Sequence, residues 1–400
     1  MKRTLVLVLL LLSLDVAPAL AASELAAAVD AALQHNPRNA LAETQQLRSA
    51  GYRRQADGWL GGDPAASLYY QSDALASDRG FEEMQAGVSL PLRLPGQRGA
   101  QQALAASIAG QTDSDTRLLR WQVAGKVLER LWDLHTATED ETLSDAQQTS
   151  AQGLVAAVER RVATGELARA DLLMAQQAAL RLEVDHQEAE SRQAAAQAAW
   201  HAYTGLDTAP KPLGQQPLRE AVAEDHPLIE QQRKRLAEAQ AQRDVLRRER
   251  TSPPELTLYA RRERGSSVET YNNSLGAEIR LPFGSSRAMA PQRAESEAAL
   301  ARAQIALAET RRKLELQRIA SEQTLHQLAQ ARDLAQQQQR VASERLKMSQ
   351  RAFELGEIDL YLLLEARSEA VVIERQLRRL SLNYKRAISR HNHLLGDIPQ

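Results

Sequence analysis

The chain has no cysteine. Disulfides, a thiolate nucleophile and a lipid anchor on an N-terminal cysteine are therefore excluded. Aromatic residues make up only 4%, too few large side chains for a thick globular core. No one sign of charge dominates either. The formal net charge is −1, so no polyanion is implied as partner and nucleic acid is not expected. There is no Gly-x-Ser-x-Gly elbow and no phosphate-cradling loop, so neither an enzyme nor a cofactor is expected. Leu5 to Leu14 is apolar but too short to span a bilayer as a helix, and no later stretch is long and apolar enough.

Ala, Gln, Arg, Leu and Glu are abundant instead, the profile of long helices and coiled coils. Basic doublets such as Arg160-Arg161, Arg247-Arg248 and Arg311-Arg312 are interleaved with acids. They read as solvated helix faces on which opposite charges three or four apart support one another. The N-terminus reads as a secretory signal over residues 1–21. Lys2 and Arg3 precede the apolar stretch, and Ala19-Leu20-Ala21 fits the small-residue cleavage pattern, which puts the mature start at Ala22.

The mature chain is written twice. Gly165-Glu166-Leu167 returns as Gly356-Glu357-Ile358 (356 − 165 = 191), and Tyr203-Thr204-Gly205 returns as Leu394-Leu395-Gly396 at the same offset. His35-Asn36-Pro37, Ser67-Leu68-Tyr69 and Leu90-Pro91-Leu92 return within one residue of that spacing. One unit therefore occurs head to tail, over residues 22–210 and 211–400, and is too long for a solenoid repeat. Each unit reads helix, strand, strand, very long helix, turn, helix.

Four segments alternate strictly. Leu68 and Tyr70 alternate with Ser67, Tyr69 and Gln71; Met84, Ala86, Val88 and Leu90 alternate with Gln85, Gly87 and Ser89. Leu256, Leu258 and Ala260 alternate with Thr257 and Tyr259, and Leu275, Ala277 and Ile279 with Gly276, Glu278 and Arg280. Such alternation marks strands with one apolar and one polar face. At about nine to eleven residues, their length suits tilted membrane-spanning strands.

Helices are expected over residues 23–57 with an interruption at Asn36-Pro37, and over 98–164, 171–203, 227–250 and 287–355, with a last one ending near Leu395. Leu119, Val123, Val127, Leu131 and Leu134 mark an apolar stripe on one, and Leu300, Leu307 and Leu314 keep a coiled-coil spacing of seven on another. The longest would reach about 100 Å, whereas each return helix covers about half of that. Four strands cannot close a barrel, and a membrane tolerates no open sheet edge. Two copies would supply eight strands and three would supply twelve; polar positions such as Glu278 and Arg280 favour the larger, wet lumen.

The motifs Arg-Arg-Val-Ala-Thr-Gly-Glu-Leu-Ala-Arg-Ala-Asp-Leu-Leu from Arg160 and Gly-Glu-Ile-Asp-Leu-Tyr-Leu-Leu-Leu-Glu-Ala-Arg from Gly356, with the Gly-Gln-Arg-Gly turn after Pro91, resemble the TolC-type outer-membrane efflux family. The wording is most similar to the CzcC-like, heavy-metal branch. The resemblance implies a mainly α fold with a membrane β-barrel part: a homotrimer with four strands per protomer, a shared twelve-stranded barrel and long coiled-coil hairpins. It implies an exit duct across the outer membrane and periplasm, not lipid-anchored, serving an inner-membrane pump of RND type through a periplasmic adaptor (membrane fusion protein). Gly165, Glu166, Leu167, Gly356, Glu357 and Ile358 would then form the adaptor-docking tip, with Asp171, Asp359 and Glu365 at the pore constriction. Leu362 stands where the first repeat has Asp171. Phe353 and Ile358 stand where a tyrosine and an arginine tether the tip in the best-known member.

Each reading has a plainer rival. Glu357 and Asp359 also suit a helix N-terminus, where the dipole favours acids. Exposed apolar residues at Leu167 and Ile358 are expected to meet a partner. His391 and His393, two apart on a helix, face different ways, so no metal site is expected. Within the duct reading the alternative is a component of a type I protein-secretion system. In a different class, a secreted coiled-coil scaffold would need no alternating strands.

Overall fold

The computed structural model describes residues 16–211, 218–249, 252–283 and 287–397. Lys2, Arg3 and the apolar run from Leu5 to Leu14 of the expected secretory signal lie outside them. The chain begins with α1 (Val16–Gln34) and α2 (Asn39–Asp57), then β1 (Ala65–Ser72) and β2 (Glu82–Pro91). The long α3 (Gln97–Ala163) and α4 (Arg169–Thr204) follow. The order then repeats as α5 (Pro227–Arg248), β3 (Glu255–Arg264), β4 (Asn272–Arg280), α6 (Ala290–Glu354) and α7 (Leu360–Leu394).

Local chemistry explains the boundaries. The first helical stretch stops before Asn36-Pro37, because proline lacks the amide a continuing helix needs. Pro227 and Pro291 sit in the first turns of α5 and α6, where that amide would be unpaired anyway. Gly205 ends α4 with φ 73°, a left-handed backbone that glycine takes without strain. No proline interrupts the 67 residues of α3.

The chain forms two compact units, each drawing on both repeats. One contains residues 1–39, 118–227 and 312–400. One of its cores joins α1, α3 and α4: Leu25, Val29, Val123, Val127, Leu131 and Trp200 are buried together. These are the apolar stripe of α3 and the inner face of α1, so helical periodicity becomes packing. The other unit contains residues 40–117 and 228–311. There Ala100, Leu104 and Ile108 of α3 bury against Val245 of α5.

The second unit carries the sheet. Its four strands are all antiparallel in the order β1-β2-β3-β4. The strand pairs of the two repeats are thus not separate, because β2 pairs with β3 from Glu82↔Arg264 to Pro91↔Glu255. β1 and β4 are left as edges.

Candidate functional site: the helical tips and the two-faced sheet

The two tips are built alike. Gly165 and Gly356 have φ of 80° and 75°. The amide of Glu166 donates to the Arg161 carbonyl at 2.9 Å, and that of Gly165 to Val162 at 3.0 Å. Glu357 and Gly356 repeat this with Ala352 and Phe353, at 2.8 and 3.1 Å. This doubled pattern closes a helix C-terminus only if the turning residue is left-handed. A Cβ on either glycine would meet nothing within 4 Å, so glycine is required here for backbone conformation alone.

The acids divide by role. At the first tip the Asp171 carboxylate accepts from the Ala168 amide at 2.9 Å. At the second the Asp359 carboxylate accepts from the Leu362 amide at 2.9 Å. Ala168 corresponds to Asp359 and Asp171 to Leu362, so each tip keeps one capping carboxylate and the two repeats have exchanged its position. The amides differ: Asp171 accepts from the amide three residues before it, whereas Asp359 accepts from the amide three residues after it. Glu166 pairs with Arg161 at 3.1 Å. Glu357 and Glu365 are exposed, and among the described residues Glu365 has no ion-pair partner.

Beneath the turns lies a shared apolar cluster. Val158, Ala175, Phe353, Leu360 and Leu363 are buried in it. Leu167 and Ile358 pack against that cluster and are half-buried. This corrects the expectation that they are exposed: the left-handed glycine folds the following residues back over the hairpin. Leu355, Tyr361 and Leu362 are the exposed apolar residues near the second turn, and Leu173 near the first. Arg161 links the hairpins. Its guanidinium lies 4.8 Å from the centre of the Phe353 ring and donates to the Phe353 carbonyl at 3.2 Å.

The sheet, in the other unit, sorts its side chains cleanly. Directly paired residues share a face. Leu68, Ala86, Ala260 and Leu275 form one row across all four strands, and Ala66, Val88, Leu258 and Ala277 the next. Leu90, Leu256 and Ile279 continue the same apolar face. The opposite face carries Ser89, Thr257 and Glu278 in one row and Glu255 and Arg280 in another. Arg280 reaches Glu278 at 3.3 Å and Glu255 at 3.6 Å. On β2 and β3 the apolar-face residues Met84, Ala86, Val88, Leu258 and Ala260 are exposed, whereas Gln85, Ser89, Thr257 and Tyr259 opposite them are half-buried. Apolar side chains therefore face outward and polar ones lie in the shelter of the sheet.

No protein-family model matches the chain, and no curated protein matches it significantly. Solved structures do match. The outer-membrane protein VceC of Vibrio cholerae superposes with a TM-score of 0.72 at 17% identity, covering 94% of this chain and 97% of that one. The fold is that of the TolC-type outer-membrane channels. The CmeC outer-membrane channel of Campylobacter jejuni gives 0.67 at 16% identity, covering 93% of this chain and 85% of that one. The MtrE outer-membrane channel of Neisseria gonorrhoeae, in its open state, gives 0.67 at 17%, covering 94% and 90%.

Within this TolC-type fold, the C-terminal histidines serve packing. His391 Nε2 is 2.9 Å from the Arg219 carbonyl and its Nδ1 is 2.7 Å from the Ser321 hydroxyl. His393 stacks on Trp121 with ring centres 4.7 Å apart, and His226 meets the same indole edge-on at 5.3 Å. Burial holds the His226 and His393 imidazoles below their ordinary value. Among the described residues no group of three or more His, Asp or Glu is placed to hold a metal. Sequence reading missed the Trp121 cluster and Arg161, whose partners lie far away in the chain.

Proposed function

We propose that the chain is one protomer of a passive outer-membrane exit duct of the TolC family, and not an enzyme. Three copies close a twelve-stranded barrel, and the long hairpins assemble into a coiled-coil tunnel through the periplasm of a Gram-negative cell. An inner-membrane pump, RND in type, delivers cargo through a periplasmic adaptor that docks at the turns of Gly165 and Gly356.

One observation carries this reading. A four-stranded sheet exposes a continuous apolar face and has two unpaired edges. In water such a sheet would aggregate. In a membrane the same face is solvated by lipid, and the edges are satisfied once copies close a barrel. Leu258, Leu275, Ala277 and Ile279 then meet lipid, and Glu278 and Arg280 line the lumen. Glu365, exposed and without an ion-pair partner among the described residues, is free to form a ring of charge, whereas Asp171 and Asp359 are engaged as caps. The likeness to outer-membrane channels supports the same reading. A secreted scaffold without a barrel gives the apolar face nothing to do.

The test is cargo retention. Deleting the gene in its host should raise intracellular accumulation of the pump's cargo, with metal cations and small apolar compounds assayed in parallel, and the gene in trans should restore export. Unchanged accumulation of both, together with loss of secretion of a specific protein, would move the assignment to type I secretion. No change in either would overturn the duct.

A further inference from the structure

The apolar face stops abruptly at the loop end of the sheet. After the row of Leu68, Ala86, Ala260 and Leu275 comes Tyr70, Met84, Arg262 and Asn273, and then Ser72, Glu82 and Arg264. Two arginines thus stand at the polar end of a face that is hydrocarbon up to that point, beside Glu82 and Asn273. Arg262 lies six residues from Leu256, about 20 Å along the strand; at the tilt of a barrel strand that is about 15 Å of membrane depth, within an apolar band about 25 Å tall.

Tyr271 sits between them. Its ring centre is 4.0 Å from the Arg262 guanidinium carbon and 4.9 Å from that of Arg264. Its hydroxyl donates to the Glu82 carboxylate, which also pairs with Arg264 at 3.1 Å. Glu82 is therefore engaged. On the polar face Arg261 is held by Glu83 and Glu263, and Arg280 by Glu255 and Glu278. Arg262 differs. It is exposed, and among the described residues it has no carboxylate partner in any ion pair. A guanidinium stacked on a ring keeps its donor edge free and its orientation fixed, the arrangement that binds a phosphate in bidentate fashion.

We propose that Arg262 and Arg264, fixed by Tyr271, bind the phosphate of an anionic membrane lipid whose acyl chains lie on Leu68, Ala86, Ala260 and Leu275. This rests on the reading of the sheet as a membrane barrel wall. A lipid is favoured as occupant because the cationic pair is continuous with the apolar face on one side only, so one molecule with a charged head and an apolar tail satisfies both.

The experiment compares phosphatidic acid with diacylglycerol of the same chains, added to the detergent-purified protein and read by native mass spectrometry and thermal melting. Phosphatidic acid should be retained about tenfold better, the worth of one charge-assisted contact. R262Q should remove most of that preference, and its melting without lipid is measured beside it because the stacking on Tyr271 is lost as well; R262K should restore part of the preference. Equal retention of both lipids, or an unchanged preference in R262Q, overturns the site. Protection by inorganic phosphate as strong as by phosphatidic acid also overturns it, in favour of a free-anion site. Insertion into neutral phosphatidylcholine vesicles is measured alongside. Failure to insert sinks the barrel reading itself, whereas insertion without lipid preference sinks only this site.

Discussion

Arg161 and Phe353, 192 residues apart in sequence, hold the two helical tips together: the guanidinium lies over the ring and donates to the backbone carbonyl at 3.2 Å. The same carbonyl accepts from Gly356 in the turn. Arg161 also pairs with Glu166, so one side chain ties its own turn to the neighbouring one. The link runs from the first repeat to the second.

Arg161→Ala should loosen both turns together, by about 1–2 kcal/mol from a lost cation–π contact and hydrogen bond. Arg161→Lys should recover little, because a point charge cannot both stack and donate in that plane. Amide exchange at residues 165–167 and 356–358 reads this out. Faster exchange at only one tip would contradict the link.

Leu167 and Ile358 are partly buried against the tip cluster, so replacing both with Asp should lower thermal stability before it affects any partner. Leu355 and Tyr361 are 60% and 61% exposed. Replacing these with Asp should leave melting within about 0.5 kcal/mol while reducing cross-linking to the adaptor. Adaptor cross-linking lost in the first pair with melting unchanged would restore docking to Leu167 and Ile358.

The register of β4 makes Ile279→Arg and Glu278→Leu opposite experiments. Ile279→Arg should cost about 2–4 kcal/mol near the bilayer midplane and less near an interface. Glu278→Leu should leave insertion intact. Heat-modifiable mobility in gels measures both. The reverse outcome would mean that the two faces are exchanged relative to lipid.

The unpaired edges of β1 and β4 predict that the folded protein is a detergent-resistant trimer. Mass measurement in mild detergent checks it. A stable folded monomer is incompatible with the barrel.

His226 and His393 predict a pH dependence. Burial lowers both below the ordinary 6.5, so the unfolded chain takes up protons first as pH falls. Asp225 and Asp397 oppose that shift, and His226 reinforces it at His393. Their contribution is complete above about pH 6.5 and is lost as pH drops through the folded values. Melting temperature should therefore fall between about pH 7.5 and 5.5, and fall less in the His226→Gln, His393→Gln double variant. Parallel slopes in the two proteins would exclude these histidines as the cause.

Much of this molecule is local, and the local part was legible. The repeat offset, the alternation of Leu256 to Ala260, the stripe from Leu119 to Leu134 and the turn glycines each follow from spacing within one element. Backbone geometry makes such spacing decisive: a period of two can serve only a two-faced strand, and a left-handed turn selects glycine. Element boundaries mostly fell within three residues of those expected, because proline and glycine mark them. The first helix is the exception, already formed at Val16.

Sequence alone determined the elements, their duplication and which face of each strand is apolar. Tertiary structure decided what those elements meet. The pairing of β2 with β3 fuses two repeats into one sheet, and no residue pattern distinguishes that from two separate hairpins, since strand pairing is made by backbone groups common to every residue. The burial of Leu167 and Ile358, the reach of Arg161 to Phe353 and the packing of Trp121 between His226 and His393 depend on side chains meeting across long stretches of chain. Such contacts leave no periodicity, because each is a single close approach created only when the helices have already packed.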